Sequence, residues 1–230
     1  MKEILTQSVF FGVVLTLICY WIGVWVKRKT KLAIATPLLV AVIIIVSILL
    51  LLDIDYEAYS NGAKYISFFL TPATVSLAIP LYRQLELLKR HPKAIFGGIG
   101  AGVLTAMVSI WLMSLAFGLS HEQYITLLPK SITTAIGMGV SEKMGGIVTI
   151  TVVAISVTGI FGNIIAEAIC RIFKITEPIA KGLAIGTASH ALGTTKAMEM
   201  GEIEGAMSSL SIVVAGIMTV LSVSVFANFL

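Results

Sequence analysis

The stretch GTASHALGTTKAMEMGE, residues 186–202, lies between two apolar segments near the end of a 230-residue chain. It holds a histidine, a lysine, two glutamates, four hydroxyl side chains and three glycines. Its neighbours on both sides are nearly free of charge. Polar, glycine-rich backbone between apolar runs is tolerated in hydrocarbon only where protein or a water-filled cavity satisfies its N–H and C=O groups. How this stretch is housed therefore decides how the rest of the chain is arranged.

Charged residues make up 12% of the chain and hydrophobic residues 57%; an average soluble domain is about 25% charged. A soluble core could be built from this sequence, but not the polar surface to cover it. The pattern is that of an all-α membrane protein that crosses a lipid bilayer several times, read as a single domain over residues 1–230. Six segments reach the roughly 20 residues a crossing needs: 7–26, 32–52, 63–81, 94–119, 146–170 and 206–229. The first lacks a basic n-region and a small-residue cleavage site, so it reads as a retained helix rather than a signal peptide.

Most of the sixteen basic residues fall into three clusters at the ends of apolar runs: Lys27, Arg28, Lys29 and Lys31; Arg83, Lys89, Arg90 and Lys93; Arg171, Lys174 and Lys181. That is topological information, not a nucleic-acid patch. The positive-inside bias puts these clusters in the cytoplasm and the N-terminus outside the bacterial inner membrane. Only one crossing then separates residue 124 from 171, yet two apolar stretches lie between them. The shorter, 125–140, carries Pro129, Lys130, Ser131, Thr133, Thr134, Gly137 and Gly139. It is expected to enter and return on the outer side. By the same logic 178–200 dips in from the cytoplasm. The reading is six crossings plus two re-entrant or broken helices.

An internal echo supports broken helices. TPATVSLAIPLY (71–82) aligns without gaps on LPKSITTAIGMG (128–139): Pro72 on Pro129, Thr74 on Ser131, Ser76 on Thr133, Pro80 on Gly137. Interrupted helices in corresponding positions point to a transporter site, although small-residue apolar segments also match by chance. The helix breaks are assigned to Pro72, Pro80, Pro129, Gly137, Gly186 and Gly193. The candidate substrate-binding side chains are Thr74, Ser76, Lys130, Ser131, Thr133, Thr134, Ser189, His190, Thr194, Thr195 and Lys196.

His190 has three readings. A Ser189–His190 catalytic unit fails because adjacent side chains point apart. A metal site needs three or four ligands, and His91 and His121 fall in loops assigned to opposite sides. There remain a hydrogen-bonding group in a polar cavity and a packed structural histidine. Lys130 and Lys196 are either anion partners at membrane depth or lysines that snorkel to headgroups. Glu199, Glu202 and Glu204 mark the aqueous end of the second dip. Glu167 and Arg171 are spaced to pair on one helix face. Gly97, Gly98, Gly100 and Gly102 give a small-residue face suited to close packing, to a partner or to self-association. The distant Cys19 and Cys170 suggest neither disulfide nor metal. No phosphate loop, dinucleotide fingerprint or zinc spacing occurs, so no cofactor and no enzymatic activity are expected.

FFLTPATVSLAIPLYRQ, LLPKSITTAIGMGVSEKMGG and AKGLAIGTASHALGTTKAMEMGEIEGAMSSL together resemble the LrgB/CidB family of bacterial membrane proteins over nearly the whole chain, with PKSITTA closer to the CidB side. The last motif contributes Gly182, Gly186, Ser189, His190, Gly193, Glu199, Glu204, Ser208 and Ser209. The resemblance implies two activities. One is holin- or antiholin-like control of murein hydrolases and lysis, with a small LrgA/CidA-like membrane partner. The other is transport of small carboxylates such as pyruvate, glycolate or glycerate, the last two by a related plant chloroplast protein. The broken helices and hydroxyl-rich dips favour transport.

The topology has a direct test. Single cysteines at 29, 88 and 174 are expected to label from the cytoplasmic face, and one at 57 from outside. Labelling of 57 from the cytoplasm would overturn the arrangement.

Overall fold

The computed structural model describes residues 8–230 apart from 9, 33, 70, 71, 73, 74, 77, 78, 80, 81, 83, 84 and 91. Every regular element among the described residues is helical. The chain divides into two compact units, residues 1–76 and 77–230.

In the first unit, α1 (Phe11–Thr30) ends on Lys27, Arg28 and Lys29, which suit the negative end of a helix. Helix α2 (Pro37–Leu51) starts later than the apolar run does. Pro37 occupies its first turn and the Thr36 side chain accepts from the Leu39 N–H. Helix α3 (Tyr56–Ser67) takes in much of the interval between the second and third expected crossings. The tertiary reason is contact with α1: the hydroxyls of Tyr59 and Thr16 lie 2.9 Å apart, and Gly12 meets the backbone of Tyr59 and Ala63 directly. The expected third crossing and the first copy of the echo lie largely outside the described residues, as do Thr74, Pro80, Arg83 and His91. Pro72 and Ser76 are helical, and Ser76 Oγ donates to the Pro72 carbonyl at 2.8 Å.

The second unit contains α4 (Leu85–Arg90), α5 (Pro92–Phe117), α6 (His121–Leu127), α7 (Thr134–Met144), α8 (Val148–Ile172), α9 (Pro178–Met200) and α10 (Glu202–Phe226), closed by a 3₁₀ turn at Ala227–Phe229. Helices α1, α5 and α8, and α10 with its closing turn, are long and apolar enough to cross a membrane. Their outward residues fit that medium. Leu104, Val108, Leu112 and Leu115 on α5, and Ile150, Val153, Val157 and Phe161 on α8, are exposed at helical spacing, an apolar surface too continuous for a water-soluble monomer. This is a membrane protein.

Helices α6 and α7 form a hairpin. A Cβ on Gly137 would lie 3.5 Å from the carbonyl oxygen of Pro129, whereas eight residues of continuous helix span about 12 Å. At the open end, Ile147 N–H donates to Thr126 Oγ1 at 2.8 Å. Helix α9 is a second hairpin. A Cβ on Gly193 would lie 3.1 Å from the Ile185 carbonyl, again eight residues away, and Ile185 and Ala197 share one apolar cluster. The reversal falls on His190, at φ 43°, ψ −140°. Residues 178–189 and 191–200 are its two arms, each about 15–18 Å long, roughly half of a ~30 Å hydrocarbon core.

The hairpins enter from opposite ends of the unit. Ala94, Glu177 and Leu183 line one groove, and Arg171, Lys181 and Met200 line one cleft, so the second hairpin opens where α5 begins and α8 ends. The first opens at the other end, where Tyr124 OH donates to the Phe226 carbonyl at 2.8 Å. Both pack on a core whose spine is Ile95, Ile99, Val103, Met107 and Ile110 of α5. Of the expected glycine face on α5, Gly98 and Gly102 meet Leu183 and Thr187 of the second hairpin, Gly100 lies near Met218, and Gly97 faces open space.

These contacts separate two glycine substitutions. A Cβ on Gly186 would lie 2.8 Å from Ser208 Cα, so Gly186→Ala is expected to cost about 1–3 kcal/mol by overpacking. Gly97→Ala should be neutral or stabilising by up to about 1 kcal/mol through helix propensity. Thermal unfolding of the purified protein in detergent distinguishes them.

Candidate functional site

The tip of the first hairpin is the turn at residues 128–133. Pro129 has no N–H to satisfy there, and Lys130 Nζ donates to Ser131 Oγ at 3.1 Å. Thr133 is extended and caps α7 without a side-chain hydrogen bond. The N–H groups of Thr134, Ala135 and Ile136 therefore have no acceptor within the helix. They face the interior because α7 runs outward from the tip.

The tip of the second hairpin is His190. A non-glycine residue at positive φ is strained, and three interactions hold it. His190 Nε2 donates to the Ile155 carbonyl of α8 at 3.0 Å, which fixes the Nε2–H tautomer. Asn163 Nδ2 donates to the Leu192 carbonyl at 2.8 Å and to Thr195 Oγ1 at 3.0 Å. Thr194 Oγ1 donates to the His190 carbonyl at 2.9 Å and lies 2.7 Å from Ser208 Oγ. Two glycines make room on α8: a Cβ at Gly159 would lie 2.6 Å from the His190 ring, and one at Gly162 would collide with Ser189.

Ile155 joins the two tips. Its side chain packs on Gly137 of the first hairpin, and its carbonyl receives His190 of the second. Helix α10 repeats the arrangement: a Cβ on Gly216 would lie 3.1 Å from Ile136 of the first hairpin, and Ser208 bonds to the second. The sequence at the two tips, 128–140 and 186–195, contains no carboxylate. The two tips, joined through Ile155, carry one ammonium, several hydroxyls and the positive ends of two half-helices, α7 and residues 191–200. Such ends attract anions.

Among the candidate side chains, Lys130, Ser131, Thr133 and Thr134 lie at the first tip, and Ser189, His190, Thr194 and Thr195 at or within a turn of the second. Lys196 sits deeper in the return arm, in ion pairs with Glu167 at 3.1 Å and Glu199 at 3.4 Å. Pro72 and Ser76 belong to the first unit. Pro129 stands in a true break. Gly137, Gly186 and Gly193 lie inside helical arms, where their lack of a side chain permits close contact instead. Asn163 was not singled out by the sequence reading. Its signal was available, since it is a lone amide within a 25-residue apolar helix. Arg171 reaches Glu167 at 3.8 Å, as the spacing suggests. The pair lines a charged cleft of about 870 Å³ with Lys174, Lys181, Lys196 and Glu199. Glu204 is buried at the same end, against Gly201 at the start of α10.

Residues 16–229 match the LrgB-like family. The chain belongs to the LrgB family. It is 38% identical over 226 residues to the antiholin-like protein LrgB of Bacillus mycoides, with 98% of each chain covered. The relative of the same name from Bacillus cereus gives the same identity and coverage. No solved structure matches. The LrgB-family motif in 180–210 thus corresponds to the second hairpin and the start of α10, where Gly182 and Gly186 let backbone approach backbone closely.

His190 gives a stability test of the tip. His190→Ala loses the bond to Ile155 and keeps the strained φ, whereas His190→Gly loses the same bond and relieves the strain. The glycine variant is expected to unfold at the higher temperature of the two, by the equivalent of about 1 kcal/mol. The reverse order would show that the reversal is not at residue 190.

Proposed function

We propose that this LrgB-family protein transports small monocarboxylates across the bacterial cell membrane. The observation that supports this reading is the meeting of two opposed re-entrant hairpins at Ile155 with positive half-helix ends and Lys130, and with no acidic residue at either tip. Discontinuous helices that meet at mid-depth are a recurrent way to bind a polar substrate inside a bilayer. The charge there selects an anion, and a single ammonium with hydroxyls suits one carboxylate and one neighbouring polar group. His190 positions the second tip through Ile155. The basic end of the second unit, with Lys93, Arg171, Lys174 and Lys181, faces the cytoplasm, and the N-terminus lies outside. A small LrgA/CidA-like membrane protein is the expected partner.

A second reading rests on the relatives' name: an antiholin-like regulator of murein hydrolase activity and lysis. A regulator of that kind needs assembly and contact but no positioned anion site.

Reconstitution in liposomes, with and without the small partner, separates the two. Saturable uptake of labelled pyruvate or glycolate is expected. Lys130→Gln should reduce uptake about 10-fold to 150-fold, the equivalent of the roughly 1.5–3 kcal/mol of a hydrogen bond to a charged group. Leakage of an uncharged dye without saturable uptake would support the regulatory reading instead.

A further inference from the structure

The second hairpin is held in two different ways on its two sides. Its first arm belongs to the main core: Leu183 packs with Ile95, Ile99, Met207 and Leu210, and Gly182 and Gly186 lie against the backbone of α10. Its return arm lies between α10, where Thr194 meets Ser208 and Met198 meets Gly205, and the C-terminal half of α8. Among the described residues, the buried apolar cluster on the α8 side is Ala166, Cys170 and Ala197 with Ile185 from the first arm, and Ile175 and Met200 pack against it. The polar contacts follow one stripe of α8, Ile155 carbonyl to His190, Asn163 to Leu192 and Thr195, and Glu167 to Lys196, and the Leu192 side chain packs on Gly159 of the same stripe. Gly159 and Gly162 lie in the same stripe and offer a smooth surface. Small side chains bury little area, and the outer bonds of the seam, at Asn163 and Glu167, exchange readily for bonds to water, so the seam opens at low cost. It is also placed to matter. One end is the tip beside Lys130, and the other is the charged cleft lined by Glu167, Cys170 and Lys196.

The first hairpin has no comparable seam against α8. Thr151 Oγ1 lies 2.9 Å from the Thr126 carbonyl and 2.7 Å from Ser141 Oγ. Ser141 and Thr151 are fully buried. Breaking that network without water costs the full desolvation of each group.

We propose that the seam between the return arm of the second hairpin and the C-terminal half of α8 is the gate between the tip site and the charged cleft, with Asn163 and Glu167 as its latch. The proposal rests on the transport reading, since it supplies that site with a path. Asn163 and Glu167 act through the hairpin and are positioning residues. In the closed arrangement, Glu167–Lys196 and Asn163–Leu192 hold the return arm on α8. When they part, water reaches the tip from the cleft, and the anion passes between surfaces of glycine, alanine and hydroxyl.

Native Cys170, buried in the seam, reports opening, and native Cys19, buried in the first unit, reports general loosening. In the full chain in liposomes, alkylation by a water-soluble maleimide is followed by peptide mass spectrometry. Glu167→Gln is expected to speed modification of Cys170 at least threefold and leave Cys19 unchanged. The exchange Glu167→Lys with Lys196→Glu should restore the slow rate. An unchanged Cys170 rate, or equal acceleration at both cysteines, would overturn the gate. A second arm locks the seam: Ala166→Cys with Ala197→Cys, two positions of the seam's own buried cluster, in a background of Cys19→Ala and Cys170→Ala. Oxidation should lower uptake at least tenfold and reduction should restore it, whereas oxidation of Ser141→Cys with Thr151→Cys in the same background should not. Full uptake by the oxidised 166/197 protein would overturn the proposal. Absence of uptake from the reduced proteins and from the parent chain would sink the transport reading, and the alkylation arm would still decide the gate.

Discussion

Backbone hydrogen bonding inside hydrocarbon is the constraint on which the second unit depends. A chain that turns back at mid-depth exposes N–H and C=O groups that lipid cannot satisfy. Both hairpins meet this by lying against α8 and α10 closely enough for those helices to supply partners. Asn163 of α8 donates to the Leu192 carbonyl of the second hairpin and Thr151 of α8 to the Thr126 carbonyl of the first, while side-chain bonds, His190 to the Ile155 carbonyl and Thr194 to Ser208, fix the second tip. The approach needs glycine where backbone meets backbone, at Gly182 and Gly186, and where the His190 and Ser189 side chains seat on α8, at Gly159 and Gly162. The hydroxyls and the glycines are thus two halves of one solution.

The same geometry sets the electrostatics. A hairpin that reverses at mid-depth leaves the N-terminus of its return arm inside the membrane, and an N-terminus is positive. Two hairpins from opposite ends bring two such termini towards one place. Carboxylates are found near the ends of the unit: Glu122 and Glu142 at one, Glu167, Glu177, Glu199, Glu202 and Glu204 at the other. The interior charge is therefore left to Lys130 and the helix ends. The two lysines singled out in the dips differ for this reason. Lys196 is far enough down its arm to reach Glu167, whereas Lys130 donates to Ser131 at the first tip.

Packing strength is uneven around the second hairpin. Large aliphatic side chains join α5, α10 and the first arm, while alanine, glycine and polar bonds join the return arm to α8. An element embedded on one side and lightly held on the other has a defined direction of motion.

The sequence by itself determined the medium, the helices and the two dips. Low charge, long apolar runs and clustered lysines and arginines leave few alternatives, because hydrocarbon admits only helices or closed barrels. The positions of α1, α5, α8 and α10 follow within a few residues. PKSITTAIG and GTASHALGTTK stand out because their polarity is costly at that depth. Tertiary structure decided what the glycines and the histidine do. Gly137, Gly186 and Gly193 read as helix breakers along the chain, yet they sit inside helices and serve close contact. The reversal falls on His190, whose strained backbone is affordable only because Ile155, 35 residues earlier, accepts its ring N–H. Asn163 and the Glu167–Lys196 pair belong to the second tip and its return arm for the same reason. Their partners lie about 30 residues away in sequence, and no local spacing encodes a contact that exists only once the hairpin has folded against α8.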